Sequence, residues 1–158
     1  MKSFLVEIKN SDVFVGGNPV IKSLSWTMNE GENWAVVGNN GSGKTTLMKL
    51  IFGETIPVYG GQVNWFGKCE HSPLLEVREK LGYVSAEYQN NYDRPATGWE
   101  VVASGFFSSI GLHDSVTPEQ KESALNAMAH LGIEALSHTS FRQMSYGEAR
   151  RALLARAM

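Results

Sequence analysis

The chain has 158 residues, a length that predicts one domain with room for a sizeable core. Hydrophobic residues make up 42% and charged residues 19%, which excludes a disordered protein. The net charge of −2 gives no global electrostatic basis for binding nucleic acid or an anionic membrane. The sequence contains no run of about 18 apolar residues, so it predicts no membrane-spanning helix. Cys69 is the only cysteine, so no internal disulfide forms, and a reducing cytoplasm is the expected compartment.

The first part of the chain has the pattern of β-strands. Residues Phe4–Ile8 alternate between apolar and polar, and Val20–Met28 follows a Gly-Gly-Asn-Pro turn. Trp34–Val37 is a short, continuous apolar run, which predicts a strand buried on both faces. Gln62–Phe66 and Leu81–Ser85 are further strand candidates.

Helical patterns occur after the first glycine-rich loop and again in the later part of the chain. Thr45–Phe52 places its leucines on one face and ends at a glycine. Thr117–Gln120 has the signature of a capping box with proline in the first turn. The helix that it opens carries Met128 on an apolar face, predicted to be core, and Gly132 stands where a C-cap is expected.

The change from strand patterns to helical patterns predicts two lobes. The first, residues 1–89, contains the strands, and the second, residues 90–158, is helical; we expect the boundary near Gln89–Arg94. Within the first lobe, the mostly polar stretch Cys69–Lys80 is expected to be a surface connection.

The strongest chemical signal is the stretch 38–45, Gly-Asn-Asn-Gly-Ser-Gly-Lys-Thr, which fits the P-loop pattern G-x-x-x-x-G-K-[ST]. A predicted strand precedes it and a predicted helix follows it, as the motif requires. Small residues let the backbone curl so that N–H groups point at a polyphosphate, and Lys44 adds a positive charge for its terminal phosphates. The hydroxyl of Thr45 is expected to bind Mg²⁺. The predicted nucleotide-binding residues are Gly38, Asn39, Asn40, Gly41, Ser42, Gly43, Lys44, Thr45 and Thr46.

A second motif stands near the C-terminus, at residues 144–157. Ser145 followed by Glu148 predicts a capping box at the start of a helix with an apolar face. The capping box does not account for Gly147, because glycine within a helix costs about 1 kcal/mol relative to alanine. A glycine there lets a phosphate approach the N-terminus of the helix closely.

Together these motifs resemble those of the ATP-binding-cassette (ABC) ATPases, whose signature reads Leu-Ser-Gly-Gly-Gln before a helix that ends in Ala-Arg-Ala. The P-loop wording of residues 38–47, the order of the motifs and their separation of roughly one hundred residues also suit that family. The matching positions are Ser145, Gly147, Arg151, Ala155, Arg156 and Ala157. The departures are Met144, Tyr146 and Glu148, and a glutamate at the fifth position is a weak indication of soluble or molybdate-transport-associated members.

The resemblance implies an α/β P-loop NTPase fold with an antiparallel N-terminal β subdomain and a helical subdomain. It implies ATP and Mg²⁺ as ligands and a head-to-tail dimer with a second ABC subunit. In that dimer the residues that face the partner's nucleotide would be Ser145, Tyr146, Gly147 and Glu148. It also implies ATP hydrolysis that powers a transporter or a soluble ABC machine. The expected partner is a membrane permease. The expected location is the cytoplasm, and the inner face of the membrane where a permease is bound.

Two further family positions are ambiguous in this sequence. An aromatic residue that stacks on adenine would be Phe14, whereas counting from the Gly-Gly turn favours Val15, and core packing is the alternative role for Phe14. The family's glutamine that contacts Mg²⁺ and the attacking water aligns with Ala86, while Gln89 lies three residues on and is the candidate catalytic residue. A solvated loop residue is the alternative for Gln89.

Family members continue past the Ala-Arg-Ala helix into a strand ending in Asp-Glu and a histidine switch, and these 158 residues close at Met158 in a helical pattern. We therefore expect a fragment with an exposed sheet edge, prone to association and doubtful as a hydrolase by itself. A non-catalytic nucleotide-binding or dimerisation module is the alternative function. A P-loop small-molecule kinase is a weaker one, because no arginine-rich lid pattern occurs.

Overall fold

The computed structural model describes residues 4–58, 60–68, 73–85, 87, 92 and 95–158. The chain divides into two compact units, Met1–Arg78 and Glu79–Met158. The boundary expected from the sequence, Gln89–Arg94, falls on a stretch of which only Tyr92 is described.

An antiparallel three-stranded sheet forms the frame of the N-terminal unit. Strand β1 (Phe4–Val15) lies between β2 (Asn18–Asn29) and β3 (Gln62–Trp65). The β1–β2 hairpin turns through two glycines with positive φ, a conformation that glycine adopts without steric cost. The inward-facing residues of β1 are buried, namely Val6, Ile8 and Val13. The antiparallel N-terminal sheet predicted from the resemblance is confirmed.

Two helices complete the described part of this unit. Helix α1 (Lys44–Ile51) buries Leu50 fully, as its apolar stripe predicts. Helix α2 (Leu74–Glu79) lies in the stretch expected to be a polar surface connection. Its Leu75, Glu76 and Glu79 are exposed as expected, but Val77 is buried and the helix itself was not predicted. The side chain of Arg78 donates to the carbonyl of Gly53 at 2.6 Å, and this tertiary bond and the burial of Val77 hold a helix too short to persist alone.

Residues 32–37, which we call the unpaired segment, lead into the P-loop motif of residues 38–45 without belonging to a strand. Trp34 is 55% exposed, Val36 41% and Val37 90%, so the prediction of a strand buried on both faces was wrong. A strand of that kind must belong to a sheet whose two faces are both covered, and none of the strands in the described residues pairs with this segment. The candidate strand Leu81–Ser85 likewise adopts no strand conformation.

Three helices pack together in the C-terminal unit. Helix α3 (Gly98–Ala103) continues into a 3₁₀ turn, and it contacts both α4 (Pro118–His130) and α5 (Tyr146–Arg156). Their shared core contains Val101, Met128, Phe141, Ala152 and Leu153. In the described part of the chain, no helix is both long enough and apolar enough to cross a lipid bilayer.

Helix α4 begins and ends where the sequence predicts. The hydroxyl of Thr117 accepts from the N–H of Gln120 at 3.2 Å, and the amide oxygen of Gln120 accepts from the N–H of Thr117 at 3.0 Å. Gly132 follows the helix with a φ of +66°, which is the left-handed conformation of a glycine C-cap. Met128 is fully buried, which confirms its prediction as core.

Candidate functional site

The phosphate loop, residues 38–45, curls through two glycines in the left-handed region. Gly41 has a φ of +81° and Gly43 a φ of +88°, values that side chains other than glycine rarely adopt. Gly43 is also the N-cap of α1, so the loop leads directly into the N-terminus of a helix. The positive end of that helix and its unbonded first-turn N–H groups favour an anion at this place.

The first position of the loop, Gly38, is also closely packed. A Cβ atom at Gly38 would lie 2.7 Å from the hydroxyl oxygen of Ser42. The N–H of Ser42 donates to the carbonyl of Asn39 at 3.2 Å, which closes the turn. The loop is therefore tightly curled: φ requires glycine at Gly41 and Gly43, whereas a side chain at Gly38 would have to displace the Ser42 hydroxyl.

The side chain of Lys44 reaches back across the loop. Its Nζ donates to the carbonyl oxygen of Gly38 at 2.8 Å and to that of Asn39 at 2.7 Å. An ammonium group has three donors, so one is left for a further acceptor while the other two hold the loop. The lysine thus places its positive charge against the backbone of the first two loop residues.

Polar side chains of the loop and of the first turn of α1 are accessible to solvent. Asn40 and Thr45 are exposed and Thr46 is half-buried at the start of α1. Mg²⁺ keeps several waters and binds substrate phosphates, so it needs only one or two protein oxygens. The hydroxyl of Thr45 fits that need, because it lies in the exposed first turn of the helix next to Lys44.

The second motif forms the N-terminus of α5, and we call residues 145–148 the signature turn. Ser145 is the N-cap, and its N–H and its hydroxyl both donate to the same carboxylate oxygen of Glu148, at 2.8 Å and 2.7 Å. A Cβ atom at Gly147 would meet nothing within 4 Å, so the turn is open to solvent. Tyr146 is 65% exposed, and the guanidinium of Arg150 lies 5.4 Å from the centroid of its ring.

The carboxyl group of Glu148 is shifted toward its ionised form. The hydrogen bond from the Ser145 hydroxyl, aided by the bond from the Ser145 N–H, lowers the pKa of Glu148 below its ordinary value. The positive charge of Arg151 acts in the same direction. The signature turn therefore carries a negative charge at neutral pH.

A buried polar network anchors the far end of α5, and the sequence analysis did not find it. Arg156 is only 8% exposed; its Nε donates to the Ser104 hydroxyl at 3.3 Å and its Nη2 to the carbonyl of Ser109 at 3.0 Å. The Tyr92 hydroxyl lies 3.1 Å from that of Ser104. A Cβ atom at Gly105 would lie 2.3 Å from the carbonyl oxygen of Arg156. The sequence offered two signals for it: the match of Arg156 to the family's Ala-Arg-Ala, and its place on the apolar side of a predicted helix.

Of the two ambiguous family positions, the structure describes the one expected to stack on adenine and does not describe the catalytic glutamine. Phe14 is 47% exposed and Val15 53%, so neither is a core residue and both are accessible at the end of the β1–β2 hairpin. That hairpin is close to the phosphate loop, because a Cβ atom at Gly43 would lie 3.1 Å from Cγ1 of Val20. Gln89 and Ala86 lie outside the described residues, so the position of the candidate catalytic glutamine stays a prediction.

The phosphate loop belongs to the N-terminal unit and the signature turn to the C-terminal unit. Each is an exposed turn at the start of a helix, rich in backbone donors. Chemically, both are suited to oxygen anions such as phosphates.

Comparison with known proteins finds one family. The family described as ABC transporter matches residues 21–158. The chain is 32% identical over 156 residues to "ABC transporter ATP-binding protein ModF" of Escherichia coli strain K12, an alignment that covers 97% of this chain and 32% of ModF. The chain spans less than two thirds of the length of the first curated relatives that it matches.

Solved structures of ABC cassettes share the fold, among them a dimeric bacterial cassette and cbiO1. The first, titled "Dimeric Structure of MJ0796, a Bacterial ABC Transporter Cassette", superposes with a TM-score of 0.76 at 23% identity and covers 98% of this chain and 69% of that one. The second, cbiO1 from Clostridium perfringens, described as part of the ABC transporter complex cbiONQ, has a TM-score of 0.74 at 22% identity and covers 99% of this chain and 61% of that one. The predicted P-loop NTPase fold of an ABC cassette is confirmed.

Proposed function

Because this chain belongs to the ABC transporter family, we propose that its phosphate loop binds the triphosphate of ATP together with Mg²⁺. Lys44 would contact the β- and γ-phosphates, Thr45 would bind the metal ion, and Phe14 or Val15 would face the adenine. The backbone N–H groups of residues 38–46 would hold the remaining phosphate oxygens.

One observation carries this proposal: the loop is already curled around the position of Lys44. Two left-handed glycines set the curl, and the ammonium group bonds to carbonyls at 2.7 and 2.8 Å. A loop arranged in this way presents a positive charge and helix N–H groups to the same point, and polyphosphate is the common cellular ligand with matching charge density.

The signature turn is the second half of the proposed site, and it acts on a nucleotide held by another ABC subunit. Ser145, Tyr146 and Gly147 would approach the terminal phosphate of that nucleotide, with Glu148 beside them. The exposure of the turn and the open space at Gly147 support this role. The solved structure of MJ0796, a bacterial ABC transporter cassette of the same fold, is described as dimeric, which supports a pairing of two subunits.

In the whole protein, this pairing would drive ATP hydrolysis and couple it to transport. The chemistry is in-line attack of water on the terminal phosphate, stabilised mainly by the charges of Lys44 and the metal ion. Gln89 would help to place the water. A membrane permease is the proposed partner, since cbiO1 is described as part of a transporter complex, and the inner face of the cytoplasmic membrane is the proposed location.

A calorimetric titration with ATP, ADP and AMP, each with Mg²⁺, tests the proposal. The contacts are to phosphates, so we expect affinity to fall from ATP to ADP and to vanish for AMP. Analytical ultracentrifugation at saturating Mg·ATP then tests the pairing, and we expect nucleotide to raise the dimer fraction. Equal affinity for all three nucleotides would contradict the phosphate loop assignment, and an unchanged dimer fraction would contradict the pairing.

A further inference from the structure

The carboxylate of Glu148 accepts hydrogen bonds from the two Ser145 groups that would otherwise be free to donate to a phosphate. The N–H and the hydroxyl of Ser145 both donate to its Oε2, at 2.8 Å and 2.7 Å. A serine hydroxyl has a single proton to donate. While this bond stands, Ser145 has neither its hydroxyl proton nor its N–H available for a phosphate oxygen.

The same carboxylate places a negative charge beside the open part of the turn. The first-turn N–H groups of Tyr146 and Gly147 have no carbonyl to bind within the helix, and the space at Gly147 is free. An anion that approaches these donors comes within a few ångströms of Glu148, and like charges at that distance repel.

Two other capping boxes among the described residues of the C-terminal unit show which part of this arrangement is structural. At the start of α3, the N–H and the hydroxyl of Thr97 donate to Oε2 of Glu100 at 2.7 Å and 2.6 Å, which repeats the geometry of the signature turn. At the start of α4, the third residue is Gln120, whose neutral amide closes the box equally well. The helix start therefore needs a side-chain oxygen at this position, and the negative charge of Glu148 is not required for it.

We propose that Glu148 sets how strongly the signature turn binds the nucleotide of the partner subunit, because its carboxylate must release Ser145 and yield its place before a phosphate can bind. This inference rests on the proposed pairing of two ABC subunits through nucleotide. It makes Glu148 a determinant of the affinity between the subunits, while the phosphate loop of the same chain remains independent of it.

The test compares Glu148→Gln with Glu100→Gln in the 158-residue chain. Both variants replace a carboxylate by an amide that can keep the capping box, as Gln120 does. Urea unfolding checks that the two variants lose similar stability. Calorimetry measures Mg·ATP binding to the phosphate loop at a dilution where the chain is monomeric, and analytical ultracentrifugation measures the dimer dissociation constant at saturating Mg·ATP.

We expect Glu148→Gln to tighten nucleotide-dependent dimerisation about tenfold, the size of effect expected for one nearby like charge partly screened by water. Glu100→Gln should dimerise as the wild type does, and both variants should bind Mg·ATP with unchanged affinity. Unchanged or weaker dimerisation of Glu148→Gln would overturn the inference and leave the proposed pairing intact. Failure of every protein to dimerise, with Mg·ATP still bound, would overturn the inference and the pairing together. Failure to bind Mg·ATP at all would overturn the proposed function and, with it, the inference.

Discussion

The two turns proposed to bind phosphate, the phosphate loop and the signature turn, are held in place in opposite ways. The phosphate loop follows the unpaired segment, whose Val37 is 90% exposed. The shape of the loop depends on nearby atoms, namely its own glycines and the hydrogen bonds of Lys44 to two loop carbonyls. The signature turn starts a helix whose Ala152 and Leu153 are buried in a core and whose Arg156 is fixed by distant residues. The comparison teaches that a ligand-binding turn can be formed by local bonds or by long-range packing, and that the two should respond differently to mutation.

The largest expected effect is on the phosphate loop. Lys44→Ala removes the positive charge proposed to meet the terminal phosphates, and we expect Mg·ATP affinity to fall at least about 100-fold, or about 2.7 kcal/mol. Lys49→Ala is the matched control, because Lys49 lies on the same helix and pairs with Glu54 at 3.2 Å. Calorimetry measures both, and equal affinities in the two variants would remove the assignment of Lys44.

The next effect tests the long-range packing of the signature helix. Gly105→Ala puts a Cβ atom 2.3 Å from the carbonyl oxygen of Arg156, so the end of α5 must shift. We expect the free energy of unfolding of the C-terminal unit to fall by about 2 kcal/mol, within the usual range for overpacking. Urea unfolding followed by far-ultraviolet circular dichroism measures it. An unchanged midpoint would mean that α5 is not held at this contact.

Gly147→Ala separates stability from binding in the signature turn. The added methyl group meets nothing within 4 Å and improves helix propensity, so the free energy of unfolding should rise by about 0.5–1 kcal/mol. The same methyl group should obstruct a phosphate, and nucleotide-dependent dimerisation should weaken. A variant that is more stable and dimerises as well as the wild type would contradict the proposed role of the turn.

Self-association through the unpaired segment is a smaller effect. Val37→Thr keeps the β-branched shape and reduces the exposed apolar surface, so nucleotide-free self-association should weaken about threefold. Val15→Thr is the control, since Val15 is 53% exposed on the β1–β2 hairpin, away from this segment in sequence. Sedimentation velocity at several concentrations distinguishes them. Equal self-association of the two variants would show that the segment is not the contact.

The smallest effect is the pH dependence of the signature turn. Because the pKa of Glu148 is lowered in the folded chain, its contribution to stability is present above the unfolded pKa of about 4.3 and is lost as the pH falls through the folded value. Glu148→Gln should therefore lose less stability than the wild type between pH 7 and pH 3. The pKa values of Glu7 and Glu119 are also lowered, but both proteins share them, so the difference reports on Glu148. Identical acid profiles would contradict the bond to Ser145.

Motifs and helix caps were the features that the sequence predicted well. The start of α4 at Thr117 and of α5 at Ser145 follow from side chains that bond to backbone three residues away, so their physics is contained in the sequence order. The curl of the phosphate loop follows in the same way from glycines that alone tolerate its φ values. The positions of Phe14 and Val15 on an exposed hairpin required the structure, because periodicity does not report accessibility.

The failures concern residues whose environment comes from distant parts of the chain. The run at Trp34 has the composition of a buried strand, yet burial depends on neighbouring strands that its own residues do not specify. Helix α2 was missed because the stretch Cys69–Lys80 around it is mostly polar and because a helix of six residues is stabilised by its tertiary contacts.

The sequence alone determined the family, the ring of glycines around Lys44 and the capped start of the signature helix, because each depends on residues close together in the chain. Only the tertiary structure decided that Arg156 is buried against Ser104 and Tyr92 and that Val37 faces solvent. Burial and long-range hydrogen bonds depend on which segments meet in space. No pattern within a single segment contains that information.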